Sequence, residues 1–300
     1  MQEFRRIAVG LDAVPGDARL TEGCVRALAW ARWLASSPGA EVALIHSTAQ
    51  DEAWDERTRS YVAVSSGPGG EPFEEALAEL REAGVAARLV YSEESPWLAV
   101  ARHASAEGSD LVLVGKRASS FLQGPLLGSV SAKLVRRCPC PVWVVKSDSP
   151  APPPRMILAA TDLTPVGDRV LAAASALARR SGAALHVVHT FQLSMSVQMG
   201  RDEDQESFVR RTRREREEQL RERLEAAGSP GEVRLHVALS SPTHVVLECA
   251  RRHAPDIVVM GTISRGGVAG VVVGNTAERL LGRLDTSILT VKPEDFVGPV

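Results

Sequence analysis

The sequence predicts an α/β protein made of two tandem doubly wound domains, each a five-stranded parallel sheet flanked by helices. Three observations lead there. The chain has 300 residues, 44% hydrophobic and 24% charged, and at roughly 150 residues per domain this gives two cores of ordinary globular composition. Short runs that are apolar at consecutive positions alternate with stretches of helical period, as expected for strands covered on both faces. The second half also repeats the first at an offset of 146 residues, so one domain is present twice.

The strand-like runs of the first copy are Ile7–Leu11, Val42–His46, Val85–Tyr91, Leu111–Gly115 and Val142–Lys146. Those of the second are Met156–Thr161, Ala184–His189, Val233–Leu239, Ile257–Gly261 and Ile288–Lys292. Helical period fills the gaps, as in Val166–Arg180. Ser95-Pro96 and Ser241-Pro242 each place a capping hydroxyl before a proline at the first helical position, so helices are expected to begin there. Arg201–Glu225 carries 8 Arg and 9 acids around a thin stripe of Phe208, Leu220 and Leu224. It predicts a solvated amphipathic helix with no assigned chemistry.

Over residues 88–146 the repeat is ungapped, with 15 identities in 59 positions, which is too many for chance. Arg88 falls on Arg234, Ser95-Pro96 on Ser241-Pro242, Asp110 on Asp256, Gly115 on Gly261, Gly128 on Gly274 and Lys146 on Lys292. Nearer the starts the offset becomes 150, which places Asp12 on Asp162. The domains are expected at 1–147 and 155–300, joined by a linker over 148–154 whose prolines favour an extended spacer.

A formal charge of −2 supplies no global field for nucleic acid or an anionic membrane. No apolar run approaches the ~18 residues that cross a bilayer. Met1–Arg6 leads into the first strand without the features of a signal peptide, so a cytoplasmic location is expected. Four cysteines are too few for a disulfide framework, and Cys138-Pro-Cys140 lacks redox or zinc spacing; structural thiols are expected. The seven histidines show no zinc-helix pattern, and His186 and His189, three apart on a strand, point to opposite faces; no metal site is expected. No Walker loop or nucleophile elbow is present, and His46 and His189 read as structural, so no residue is assigned a catalytic role.

Ligands in parallel α/β sheets collect beyond the carboxyl ends of the strands. The first strand of each copy runs to an aspartate, Asp12 and Asp162, which can accept from ribose or base donors or can cap the following turn. The fourth strand ends at Gly115 or Gly261 and opens a loop that reaches a helix start at Gly128-Ser129-Val130-Ser131 or Gly274-Asn275-Thr276-Ala277. Such a start attracts anions through its N–H groups and positive dipole end, although Gly-Ser before a helix is equally an ordinary cap. Ser129, Ser131, Asn275 and Thr276 add side-chain donors.

These residues resemble the signature of the universal stress protein family: Gly, two residues, Gly, nine residues, Gly, then Ser or Thr. The positions are Gly115, Ala118, Gly128 and Ser129 in the first copy, and Gly261, Ser264, Gly274 and Asn275 in the second. Ala118 and Ser264 depart from the middle glycine, and Asn275 departs from Ser or Thr. Gly274-Asn275-Thr276-Ala277-Glu278, with Leu280 and Val291-Lys292-Pro293, is most similar to a two-domain member.

The resemblance implies sheets of order 3-2-1-4-5 and a pseudo-dimer within one chain, with which a homodimer is compatible. It also implies a small-molecule ligand, ATP or another adenine nucleotide, bound without being required. Asp12, Gly115, Gly128, Ser129 and Ser131 would contact it in the first copy; Asp162, Gly261, Gly274, Asn275 and Thr276 would do so in the second. With Ser129 and Ser131 intact, the first copy is the better phosphate candidate. The implied role is stress tolerance, including DNA-damaging stress, without catalysis or with at most slow ATP hydrolysis. The alternative is an interaction scaffold or apolar-ligand carrier with degenerate phosphate loops.

Overall fold

In a computed structural model, which describes residues 4–14, 17–49, 51–55, 60–64, 70–116, 129–193, 204–262, 275–296 and 298, the chain forms two compact units. The first comprises 4–153 and takes in Phe296 and Gly298; the second comprises the described residues of 154–295.

The first unit runs β1 (Arg6–Gly10), α1 (Glu22–Leu34), β2 (Glu41–Ser47), β3 (Asp51–Asp55), β4 (Ser60–Val64), α2 (Glu71–Glu82), β5 (Ala86–Ser92), α3 (Pro96–Ala106), β6 (Leu111–Gly115), α4 (Ser129–Arg137) and β7 (Val142–Val145). Parallel pairing gives a sheet ordered β5-β2-β1-β6-β7. Counting only these strands, the order is 3-2-1-4-5, as the resemblance implied. Separately, β3 and β4 form an antiparallel hairpin with Trp54 opposite Tyr61. It escapes sequence inspection because Glu56-Arg57-Thr58-Arg59, between the strands, lacks the Gly or Asn that marks tight hairpins.

Consecutive apolar residues make these strands core on both faces: Ala8, Val9, Leu111, Val112 and Leu113 are all fully buried. Helix α1 starts where the Thr21 hydroxyl accepts from the Cys24 N–H at 3.3 Å, and it buries Gly23, Cys24, Ala27, Trp30, Ala31 and Leu34, one helical stripe. Trp30 meets Trp143 of β7 at a centroid distance of 4.9 Å.

The second unit runs β8 (Met156–Ala160), α5 (Pro165–Ser181), β9 (Ala184–Phe191), α6 (Gln205–Ala226), β10 (Val233–Leu239), α7 (Pro242–His253), β11 (Ile257–Gly261), α8 (Asn275–Leu281) and β12 (Ser287–Val291). Its parallel sheet is ordered β10-β9-β8-β11-β12, again 3-2-1-4-5. Helix α5 carries its signals in sequence: Thr164 caps the Gly167 N–H, Pro165 stands at the first turn, and Gly182 closes the end at φ 72°. The two Ser-Pro starts differ. Ser241 caps the His244 N–H at 3.3 Å, whereas Ser95 makes no side-chain cap bond and only its carbonyl receives the Leu98 and Ala99 N–H groups.

One repeated identity has a clear mechanical role. Asp110 Oδ2 accepts from the N–H groups of Arg5 and Arg6 at 2.8 and 3.0 Å; Asp256 Oδ2 accepts from those of Arg155 and Met156 at 2.5 and 3.0 Å. In each unit a carboxylate ahead of the fourth strand pins the entry of the first through charge-assisted bonds. The four cysteines are buried and form no disulfide, with Cys138 and Cys140 sulfurs 3.6 Å apart. Among the described residues no helix is long and apolar enough to cross a membrane.

Candidate functional site

In each unit the first and fourth strands are neighbours, and their register sets the aspartate beside the glycine. Gly10 lies against Val114, which carries Asp12 toward Gly115; Ala160 lies against Met260, which carries Asp162 toward Gly261.

The two crevices then diverge. In the first unit, a Cβ on Gly115 would stand 2.2 Å from the Gly23 carbonyl carbon and 2.4 Å from the Cys24 nitrogen. The glycine lets the start of α1 sit directly on the end of β6, a packing reason that needs no ligand. Asp12 is half-buried, and its carbonyl accepts from the Thr21 N–H at 3.0 Å. Ser129 is exposed at the start of α4, while Ser131 is buried on the same side of that helix as Leu134 and Val135. Gly128 and Ala118 lie outside the described residues.

The second unit holds a cleft of about 640 Å³ at the carboxyl ends of β8, β9 and β11, within the size range of small-ligand sites. Asp162, Gly261 and Thr276 line it together. Asp162 Oδ1 accepts from the Thr164 N–H at 3.1 Å and the Thr164 hydroxyl at 2.5 Å, so it also holds the turn into α5. Asn275 is the first residue of α8; Gly274 and Ser264 lie outside the described residues. His189, in the cleft wall, is buried with Nδ1 3.0 Å from the Thr161 carbonyl oxygen. Its first-unit counterpart, His46, lies buried over the Phe73 ring at 4.1 Å, and burial lowers its pKa from the ordinary histidine value.

The charged segment forms the expected amphipathic helix, and one face of it, Phe208, Arg211, Thr212, Glu215 and Arg216 of α6, also lines the cleft. Their spacing of i, i+3, i+4, i+7 and i+8 marks one helical face; the signal was legible but was masked by the charge on every side. Arg211 pairs with Glu215 at 3.0 Å and lies 5.5 Å from the Phe208 ring centroid. Arg216 donates a terminal N–H to Gln219 at 2.8 Å, and its Nε is buried with no acceptor among the described residues. Phe191, Val246, Met260 and Leu280 make up an apolar floor. Elsewhere the fold gathers His186, His236 and His253 into one cluster, which their spacing in sequence does not suggest.

Comparisons with known proteins agree with this architecture. The model described as the universal stress protein family matches residues 3–146 and 154–292. Universal stress protein E of Escherichia coli (strain K12) is 27% identical over 256 residues, 82% of this chain and 80% of the relative. A universal stress protein of Mycobacterium tuberculosis (strain ATCC 25618 / H37Rv) is 29% identical over 214 residues, 69% of this chain and 68% of the relative. Among solved structures, a functionally unknown protein from Pseudomonas aeruginosa PAO1 superposes with a TM-score of 0.69 at 21% identity, covering 97% of this chain and 94% of its own.

Proposed function

Because the chain belongs to the universal stress protein family, we propose that it is a cytoplasmic, non-catalytic ligand-binding protein whose second-unit cleft takes an adenine nucleotide such as ATP. In this reading it supports tolerance of stress, including DNA-damaging stress. The observation that carries the reading is Arg216, whose buried Nε has no acceptor among the described residues, in a cleft that also presents Arg211, Asp162, Gly261 and Thr276. A buried donor without a partner is costly, and an anionic ligand group supplies the missing acceptor. Asp162 suits ribose hydroxyls. Thr276, at the start of α8, suits a phosphate.

We rank the second copy first for a phosphate: Ser131 is buried in the first unit, while the second-unit cleft presents Arg211 and Arg216. Asp12, Gly115, Gly128 and Ser129 remain the contacts of a first-unit counterpart in the same proposal.

A second reading rests on Phe191, Phe208, Val246, Met260 and Leu280 in the same cleft, which fit an apolar ligand carried without a phosphate.

Titration of the full chain with ATP in a calorimeter separates the two. Saturable heat is expected, with Arg216→Ala weakening binding about 10-fold or more, the loss of one charge-assisted bond. No phosphate is expected to be released on prolonged incubation. Neither heat nor a thermal shift at millimolar ATP would remove the nucleotide reading and leave the apolar carrier.

A further inference from the structure

We propose that His186, His236 and His253 form a binding site for a divalent transition-metal ion of the zinc type, separate from the cleft. The sheet register builds two-thirds of it. His186 pairs with Arg234, and Val188 with His236, so residues 186, 188, 234 and 236 share one face of β9 and β10. His253, the last residue of α7, comes down on that face, with its ring centroid 4.6 Å from His186 and 5.3 Å from His236. One ring nitrogen from each histidine lies within 4.8 Å of the others, and His236 Nε2 stands 3.2 Å from His186 Nδ1.

Zinc bound by imidazole at 2.0–2.1 Å in a tetrahedron sets its ligand nitrogens about 3.3 Å apart. One edge of the cluster already has that length, and all three ligand nitrogens lie within 4.8 Å of one another. Three imidazoles leave the fourth position to water. His186 is buried while His236 and His253 are half-buried, which gives the ion a route in.

The repeat supplies an internal control. Arg88 pairs with Ala43 as Arg234 pairs with His186. By that register and the offset of 146, the positions of His186, His236 and His253 are held in the first unit by Ala43, Val90 and Glu107. There Glu107 pairs with Arg88 at 2.9 Å, and the same sheet and helix form with no imidazole at any of the three positions. The architecture does not need these three histidines. None of them lines the cleft, so the inference does not depend on what fills it.

The same comparison chooses the variants. His186→Ala and His236→Val install the residues the first unit uses, and circular dichroism confirms that each variant folds. The full chain, stripped with a chelator, is titrated with Zn²⁺ against a chromophoric competitor and separately with Co²⁺. One ion per chain is expected, with the visible d–d absorption of tetrahedral Co²⁺. Each variant should weaken binding about 100-fold or more, beyond the 10–100-fold typical of losing a partner one step removed from the metal. His103→Gln, in the first unit, should change nothing. Absence of binding at micromolar free Zn²⁺, or a stoichiometry and affinity unmoved by His236→Val, overturns the proposal.

Discussion

Gly115→Ala should destabilise the first unit by about 3 kcal/mol or more, at or beyond the upper end for overpacked cores. The added Cβ would lie 2.2 Å from the Gly23 carbonyl carbon and 2.4 Å from the Cys24 nitrogen. Both obstacles are backbone, so no side chain can swing aside. Either α1 lifts from the sheet, exposing the face that buries Cys24, Ala27, Trp30 and Ala31, or β6 moves and loosens its pairing with Val145. All five tryptophans lie before residue 144, so intrinsic fluorescence against denaturant follows this unit alone. An unchanged midpoint would refute the close approach. The contact is reciprocal, since a Cβ on Gly23 would meet the Lys116 carbonyl oxygen at 2.5 Å. In the second unit a Cβ on Gly167 would meet the Thr161 hydroxyl at 2.4 Å and Asp162 Oδ1 at 2.9 Å. These are side-chain atoms, and displacing them disturbs the cleft more than the fold.

Trp143→Ala should cost about 3–5 kcal/mol, the range for removing a large buried aromatic and leaving its cavity. Trp143 and Trp30 are both fully buried and tilt against each other at 4.9 Å, so the cavity opens in the centre of the first core. Trp143→Phe should cost markedly less. It keeps most of the ring volume and also deletes an indole Nε1 that is buried without an acceptor among the described residues. Far-UV circular dichroism through a denaturant series reads both variants. Equal losses for Ala and Phe would show that volume is not the dominant contribution.

The central strands were legible because they are written as consecutive apolar residues, such as Leu111–Val114 and Ile257–Met260. The Thr164-Pro165 start and the Gly182 stop of α5 were equally local. What stayed hidden required partners distant in sequence. Asp110 and Asp256 show as repeated identities, but their grip on the first strand crosses more than 100 residues. The face of α6 turned to the cleft carries arginines and a glutamate, so hydrophobic period alone passes over it. His186 and His236 sit 50 residues apart, and only parallel pairing of β9 with β10, closed by the end of α7, brings them together. For Asp162 the sequence allows a ligand contact or a turn cap; the side chain accepts from Thr164 and also lines the cleft.

Burial of all four thiols gives the chain an internal clock. The thiolate is what reacts with alkylating agents, and burial pushes Cys24 up to about 12 and raises Cys249 as well. A maleimide therefore waits for the native state to open. Cys24, Cys138 and Cys140 lie in one half and Cys249 in the other, so the peptide that gains the reagent's mass tells which half came apart, and when.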